Sequence, residues 1–244
     1  MATVAPAGSG TIVLVHGLSG SRRWWRHTAA DLGRDHRVVA VDLLGFGERR
    51  RSGPFRLDRA AEALAAELAG DAGRVGLVGH SMGGLVAAQL AAERPDLVDR
   101  LVLVAAPVVP FEWGLPRHAW NILRSVTTVV PRFVPVLARD AARAGPLTIA
   151  SAARQLLAAD VTAQLPRIDV PTLLVWGSGD RLVPPPIGRA AADRVPHGRY
   201  AEIEGAGHVP MWECPDEFNA LLRSFLDADR EPDADADADA EGGP

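Results

Sequence analysis

Residues 75–93 read V-G-L-V-G-H-S-M-G-G-L-V-A-A-Q-L-A-A-E. Residues 75–78 form a short apolar run, Gly79-His80-Ser81-Met82-Gly83 follows without a spacer, and an Ala- and Leu-rich helical pattern occupies 82–93. A strand that enters a helix through so short a turn holds the apex residue exposed and strained, with space only for small neighbours. Gly79 and Gly83 are those neighbours, and Ser81 is the apex. The helix start beneath it presents unpaired N–H groups and the positive end of the dipole. The stretch predicts a serine nucleophile with a place for an oxyanion beside it.

Outward from this turn the same grammar repeats. Residues 11–15 (T-I-V-L-V), 37–41 (R-V-V-A-V), 100–105 (R-L-V-L-V-A), 172–176 (T-L-L-V-W) and, more weakly, 199–203 (R-Y-A-E-I) are short continuous runs. Such runs suit strands buried on both faces of a parallel sheet. Residues 58–69 set Ala61, Leu64, Ala65 and Leu68 on one helical stripe opposite Asp58 and Glu62, and 215–227 reads as a helix with Pro215 in its first turn. Strand and helix in alternation predict an α/β fold, a mostly parallel sheet flanked by helices. The alternation breaks over 107–166, which is rich in proline (Pro116, Pro131, Pro135, Pro146) and holds helical stretches near 117–127, 131–143 and 147–159. This segment reads as an inserted helical cap on a core of residues 1–106 and 167–228.

Serine is a weak nucleophile and needs a base, which needs an orienting acid. Asp180 lies in W-G-S-G-D-R after the 172–176 run, and His208 lies in G-A-G-H-V-P after the last one. Loops that follow strand C-termini in a parallel sheet share one edge, which is also where Ser81 emerges. Glu112, after the 100–105 run, is the alternative acid. His16-Gly17-Leu18 ends the first run, so the Leu18 N–H can face the Met82 N–H across a developing oxyanion. Each such donor is worth about 3 kcal/mol in the transition state. His16, His80, Trp24, Trp25, Trp212 and Cys214 read as structural. Trp113 and Trp120 of the cap, together with Val209 beside the base, are the expected substrate-binding residues, under an apolar roof that includes Phe111 and Phe133.

The motifs H-G-L at 16–18, D-L-L-G-F-G at 42–47, G-H-S-M-G-G at 79–84, P-T-L-L-V-W-G-S-G-D at 171–180 and G-A-G-H at 205–208 resemble those of the α/β-hydrolase superfamily. The resemblance extends over roughly residues 10–228. It implies the α/β-hydrolase fold with a helical cap, and a cofactor-independent, carboxylesterase-like serine hydrolase. Ser81 would be the nucleophile, His208 the base, Asp180 the acid, and Leu18 with Met82 the oxyanion donors, in the chain order such hydrolases use. Two departures stand out. Only ten residues precede the first run, so the antiparallel hairpin that usually opens the fold is expected to be truncated. Glu48-Arg49-Arg50-Arg51 also stands where relatives often carry serine. Those arginines read either as a solvated loop or as a mouth that draws anionic or carrier-bound substrates.

Composition removes other chemistries. The chain has 244 residues, 48% hydrophobic, and all 26 basic residues are arginine, which excludes a Schiff-base, pyridoxal or Walker-A lysine. One cysteine excludes a disulfide framework and a cysteine zinc cluster, and no metal ligands are predicted. Of a net charge of -4, seven acids and one arginine lie from Asp229 onward, so 229–244 reads as a disordered acidic tail. The near-neutral remainder argues against nucleic acid as a partner. No apolar run is long enough for a membrane helix and no signal peptide is visible, so a cytoplasmic enzyme with a small-molecule substrate is expected. The same three residues also serve carbon–carbon bond hydrolysis, thioester hydrolysis or acyl transfer, and lyase or cyclase steps. A ligand-binding module has no need of all three, and a scaffold role has only the acidic tail in its favour.

Overall fold

The structure, a computed structural model, describes residues 10–70, 73–109 and 130–228. The expected helix near 117–127, Glu112, Trp113, Trp120 and the acidic tail lie outside the described residues. Strands β1 (Thr11–Val15), β2 (Arg37–Val41), β3 (Val75–His80), β4 (Val98–Val104), β5 (Thr172–Gly177) and β6 (Gly198–Ile203) form one sheet in the order β2-β1-β3-β4-β5-β6. Every pairing is parallel. The strands fall where the apolar runs predict them, with one-residue extensions at Gly177 of β5 and Gly198 of β6 and longer ones in β3 and β4. β3 continues through Gly79 to His80, and β4 starts two residues earlier, at the buried Val98, with the Arg100 guanidinium 5.7 Å over the Phe225 ring.

Among the described residues the helices are α1 (Arg26–Leu32), α2 (Leu57–Leu68), α3 (Met82–Glu93), α4 (Val134–Ala144), α5 (Pro146–Ala158), α6 (Pro185–Ala192), α7 (Pro210–Glu213) and α8 (Pro215–Leu226). Successive strand residues point to opposite faces. Ile12, Leu14, Val102 and Val175 pack with Trp25, Leu32, Phe218 and Leu222 of α1, α8 and their surroundings. Val13, Val15, Leu77, Leu103 and Trp176 pack with Leu64, Leu68, Leu85 and Ala191 of α2, α3 and α6. Both faces are therefore dry, which is why the runs are continuous and not alternating. Each fully buried leucine or valine contributes about 1.5–3 kcal/mol.

Helix α3 is buried on nearly every side, and glycine lets it approach the sheet. A methyl group at Gly83 would lie 2.5 Å from the main-chain oxygens of both Val15 and His16. The register sets the strand ends in line: Val15 pairs with Gly79, His80 with Val104 and Gly177 with Ile203. The C-termini of β1, β3, β4, β5 and β6 thus open onto one edge.

Helices α4 and α5 occur where the alternation breaks, each with proline in its first turn. They dock through buried polar contacts. The Ser21 hydroxyl donates to Asp140 of α4 at 2.6 Å, and Asp140 is only 2% exposed. Gln155 of α5 accepts the Leu57 N–H at 3.0 Å and donates to the Phe55 carbonyl at 3.1 Å. No helix of the described residues is long and apolar enough to cross a membrane.

Candidate active site

Ser81 occupies the junction of β3 and α3 with φ 51° and ψ −116°. That is the first corner of a type II′ turn, where glycine is the usual residue. Strain of about 1–3 kcal/mol persists at such a position only if the surroundings enforce it. Here the Ser81 N–H donates to Val104 of β4 at 2.8 Å, and its carbonyl accepts the Gly84 N–H at 2.9 Å. Met82 is the first residue of α3, so its N–H has no acceptor within the helix.

The turn after β1 lies against this serine. Gly20 donates to the Gly17 carbonyl at 3.1 Å, with Leu18 at one corner and Ser19, at φ 60°, at the other. A methyl group at Gly17 would come within 3.2 Å of Ser81 Cβ and 2.7 Å of His80 Nδ1. His16 braces the turn: Nδ1–H donates to the Gly17 carbonyl at 2.8 Å, and Nε2 accepts the Leu43 N–H at 3.1 Å. Burial lowers the His16 pKa, in keeping with a neutral ring. Asp42 ties the loop after β2 to the same region, accepting from the Arg22 N–H at 2.6 Å and the Glu48 N–H at 2.8 Å. Gly47, at φ 52°, lets the loop close over that carboxylate.

On the other side of Ser81, the loops after β5 and β6 bring Asp180 to His208. His208 Nδ1 lies 2.9 Å from Asp180 Oδ2, and the Asp180 side chain is wholly buried. A carboxylate only accepts, so Nδ1 carries the proton and Nε2 keeps its lone pair for a proton from elsewhere. Asp180 Oδ1 accepts the N–H groups of Leu182 and Val183, each at 2.9 Å, which fixes the carboxylate plane.

His80 is buried beneath this edge. Its Nε2–H donates to the His208 carbonyl at 2.8 Å, its ring lies 4.9 Å from that of His208, and Nδ1 has no partner among the described residues. Burial holds His80 well below the usual histidine pKa, with the His208 ring adding to the effect. Trp24 and Trp25 pack against His80 at 5.7 and 6.4 Å. Both tryptophans are buried structural residues, as is Trp212, whose indole N–H donates to the Trp24 carbonyl at 2.6 Å.

Val209 is buried in the cluster that contains Phe133 and Trp24. Arg49 pairs with Glu67 of α2, Arg22 pairs with Glu48 at 2.6 Å, and Arg51 is exposed. Two side chains escaped sequence reasoning. Asp42 carried a signal in D-L-L-G-F-G without a stated role. Glu213 of α7 carried none, and its Oε2 accepts the Gly207 N–H at 2.6 Å and the Val209 N–H at 3.3 Å.

Residues 12–221 match the model of the alpha/beta hydrolase family. The chain is 31% identical to a pimeloyl-[acyl-carrier protein] methyl ester esterase of Neisseria meningitidis, over 88% of this chain and 76% of that one. Among solved structures it resembles a thermophilic esterase from Thermogutta terrifontis at TM-score 0.77 and 26% identity, covering 92% of this chain and 96% of the esterase. It also resembles the enol-lactonase from Burkholderia xenovorans LB400 at TM-score 0.74 and 25% identity, covering 90% and 92%.

Proposed function

The chain belongs to the alpha/beta hydrolase family, and on that premise we propose that it is a serine hydrolase of carboxylic esters or related acyl bonds. Ser81 Oγ attacks the substrate carbonyl as His208 Nε2 takes its proton, and the Leu18 and Met82 N–H groups hold the oxyanion. His208 returns the proton to the leaving alcohol as the carbon–oxygen bond breaks. Water then attacks the acyl-serine, giving a proton to His208, which passes it to Ser81 as the acid departs. Asp180 keeps the imidazole in the Nδ1–H tautomer and stabilises its cation. The observation that carries this reading is the 2.9 Å contact between His208 Nδ1 and Asp180, at the sheet edge where Ser81 is held in its strained turn.

The substrate is small and apolar in this reading, with Val209, Trp113 and Trp120 at its binding wall. In this reading the core of residues 1–106 and 167–228 carries the chemistry, and α4 and α5 are the described part of the cap proposed for 107–166. The similarity to esterases and to a lactonase supports acyl-bond cleavage over carbon–carbon hydrolysis. The test is hydrolysis of p-nitrophenyl esters from acetate to decanoate by the wild type and Ser81→Ala. Wild-type turnover, reduced at least about 10³-fold in Ser81→Ala, is expected. Equal rates in the two proteins would refute the assignment, and the preferred chain length would size the acyl site.

A further inference from the structure

The His208 main chain is held from two sides by groups that the proposed mechanism does not use. Glu213 Oε2 accepts the N–H groups of Gly207 (2.6 Å) and Val209 (3.3 Å), the residues flanking His208. His80 Nε2–H donates to the carbonyl of His208 itself at 2.8 Å. The fit at Glu213 is close: a methyl group at Gly207 would lie 3.0 Å from its Oε1. Helix α7, which carries Glu213, is anchored in turn. Arg132 Nε donates to the Trp212 carbonyl at 2.9 Å, and Arg132 Nη2 to the Glu213 carbonyl at 3.2 Å.

Resting on the serine-hydrolase reading above, we propose that Glu213 is a positioning residue for His208. Its carboxylate fixes the main chain on both sides of the base while His80 fixes the carbonyl, and its negative charge helps stabilise the imidazolium that forms during turnover. Two carboxylates, Asp180 and Glu213, then serve one imidazole. Asp180 acts through the ring and Glu213 through the backbone and the field.

Burial pushes the Glu213 carboxyl up, against the two N–H donors and the attraction of His208, so its ionised form carries a cost in the fold. A carboxylate kept for stability alone would be a poor choice there, whereas one that must be charged beside a forming imidazolium has a reason to be. The charged and titratable groups around it are Asp180 and His208 from the strand-end loops, Arg181 and Cys214, which line the same cavity of about 280 Å³, and Arg132 ahead of α4, with Glu217 next to Cys214.

The experiment compares wild type, Glu213→Gln and Glu213→Asp, with active sites counted by fluorophosphonate labelling of Ser81. Glutamine keeps an acceptor but loses the charge. In Glu213→Gln we expect kcat per labelled site to fall about 10–100-fold with KM within about twofold. The acidic limb of kcat/KM should move to lower pH, and the melting temperature should be unchanged or raised. Glu213→Asp keeps the charge with a shorter reach, and should retain the acidic limb while losing kcat. An unchanged kcat per site and an unchanged limb in Glu213→Gln would overturn the proposal. A wild type that neither turns over nor labels would instead refute the serine-hydrolase reading. A ¹⁵N histidine titration of the wild type needs neither turnover nor a variant: the His208 ring signals should shift again as Glu213 protonates, and no second step would overturn the proposal.

Discussion

Acidification should cost this protein stability in part through His80, whose surroundings in the structure disfavour its charged form. Its ring is fully buried, Nε2–H is committed to the His208 carbonyl, and Nδ1 faces the Gly17 main chain with no acceptor among the described residues. A second proton would therefore be buried without a partner, and the His80 pKa lies well below 6.5. For a group whose folded pKa is depressed, stability is present above the unfolded pKa and is lost as pH falls toward the folded one. The loss begins near pH 6.5 and runs at about 1.4 kcal/mol per pH unit. The slope lasts only while the folded ring stays neutral, so about 2 kcal/mol is the ceiling between pH 7.5 and 5.0, or roughly 4–8 °C in melting temperature for a chain of this size. Other groups titrate in the same window, so the assay is a double difference: urea midpoints at both pH values for wild type and His80→Gln. Glutamine can still donate to the His208 carbonyl but takes up no proton. Wild type should lose more stability than His80→Gln on acidification, by up to about 2 kcal/mol. Equal losses in the two proteins would refute the reasoning, because a buried neutral imidazole cannot be indifferent to pH.

Two further outcomes follow from the backbone. Ser81→Gly should be more stable than Ser81→Ala by about 1 kcal/mol in urea unfolding, since glycine relieves about 1–3 kcal/mol of strain at φ 51° and returns about 0.4–1 kcal/mol to the unfolded chain. Gly83→Ala should lose about 3 kcal/mol or more, because its methyl meets two main-chain oxygens of β1 that cannot rotate away, while Gly70→Ala, with nothing within 4 Å, should change by less than about 0.5 kcal/mol in the same assay.

The sequence spoke most clearly where burial is two-sided. The run at 11–15 coincides with β1, an interior strand whose residues 12–15 are all buried, while β2, half-buried at the end of the sheet order, still matches its run at 37–41. The sequence was quieter at Val98 and Asp99, where a charged, half-buried side chain separates the strand's buried first residue from the apolar run that begins at Arg100. Asp180 and His208 were legible as a pair because parallel topology sends the ends of β5 and β6 to the edge where the Ser81 turn lies, and the two side chains meet there. Glu213 was not legible. Its partners are main-chain N–H groups, which leave no residue-type signature, and a single glutamate in a short helix looks like surface. Ser21 and Asp140 are a similar case: 119 positions separate a serine and an aspartate that meet only after α4 folds down.

The strand order also governs when the molecule becomes dangerous to its surroundings. Synthesis delivers the serine turn early, between its two shaping partners, β1 before it and β4 shortly after it. The imidazole belongs to a residue 128 positions later than His80, beyond the two strands that carry it to the edge. A nascent chain, or one cut anywhere between β4 and β6, thus holds a shaped but unarmed hydroxyl. Hydrolytic power, if His208 is the base, needs the stretch that follows β6, the last strand in the chain. Two fragments divided within that interval would be inert apart and competent only on reassembly, which makes the sheet itself a reporter of its own completion.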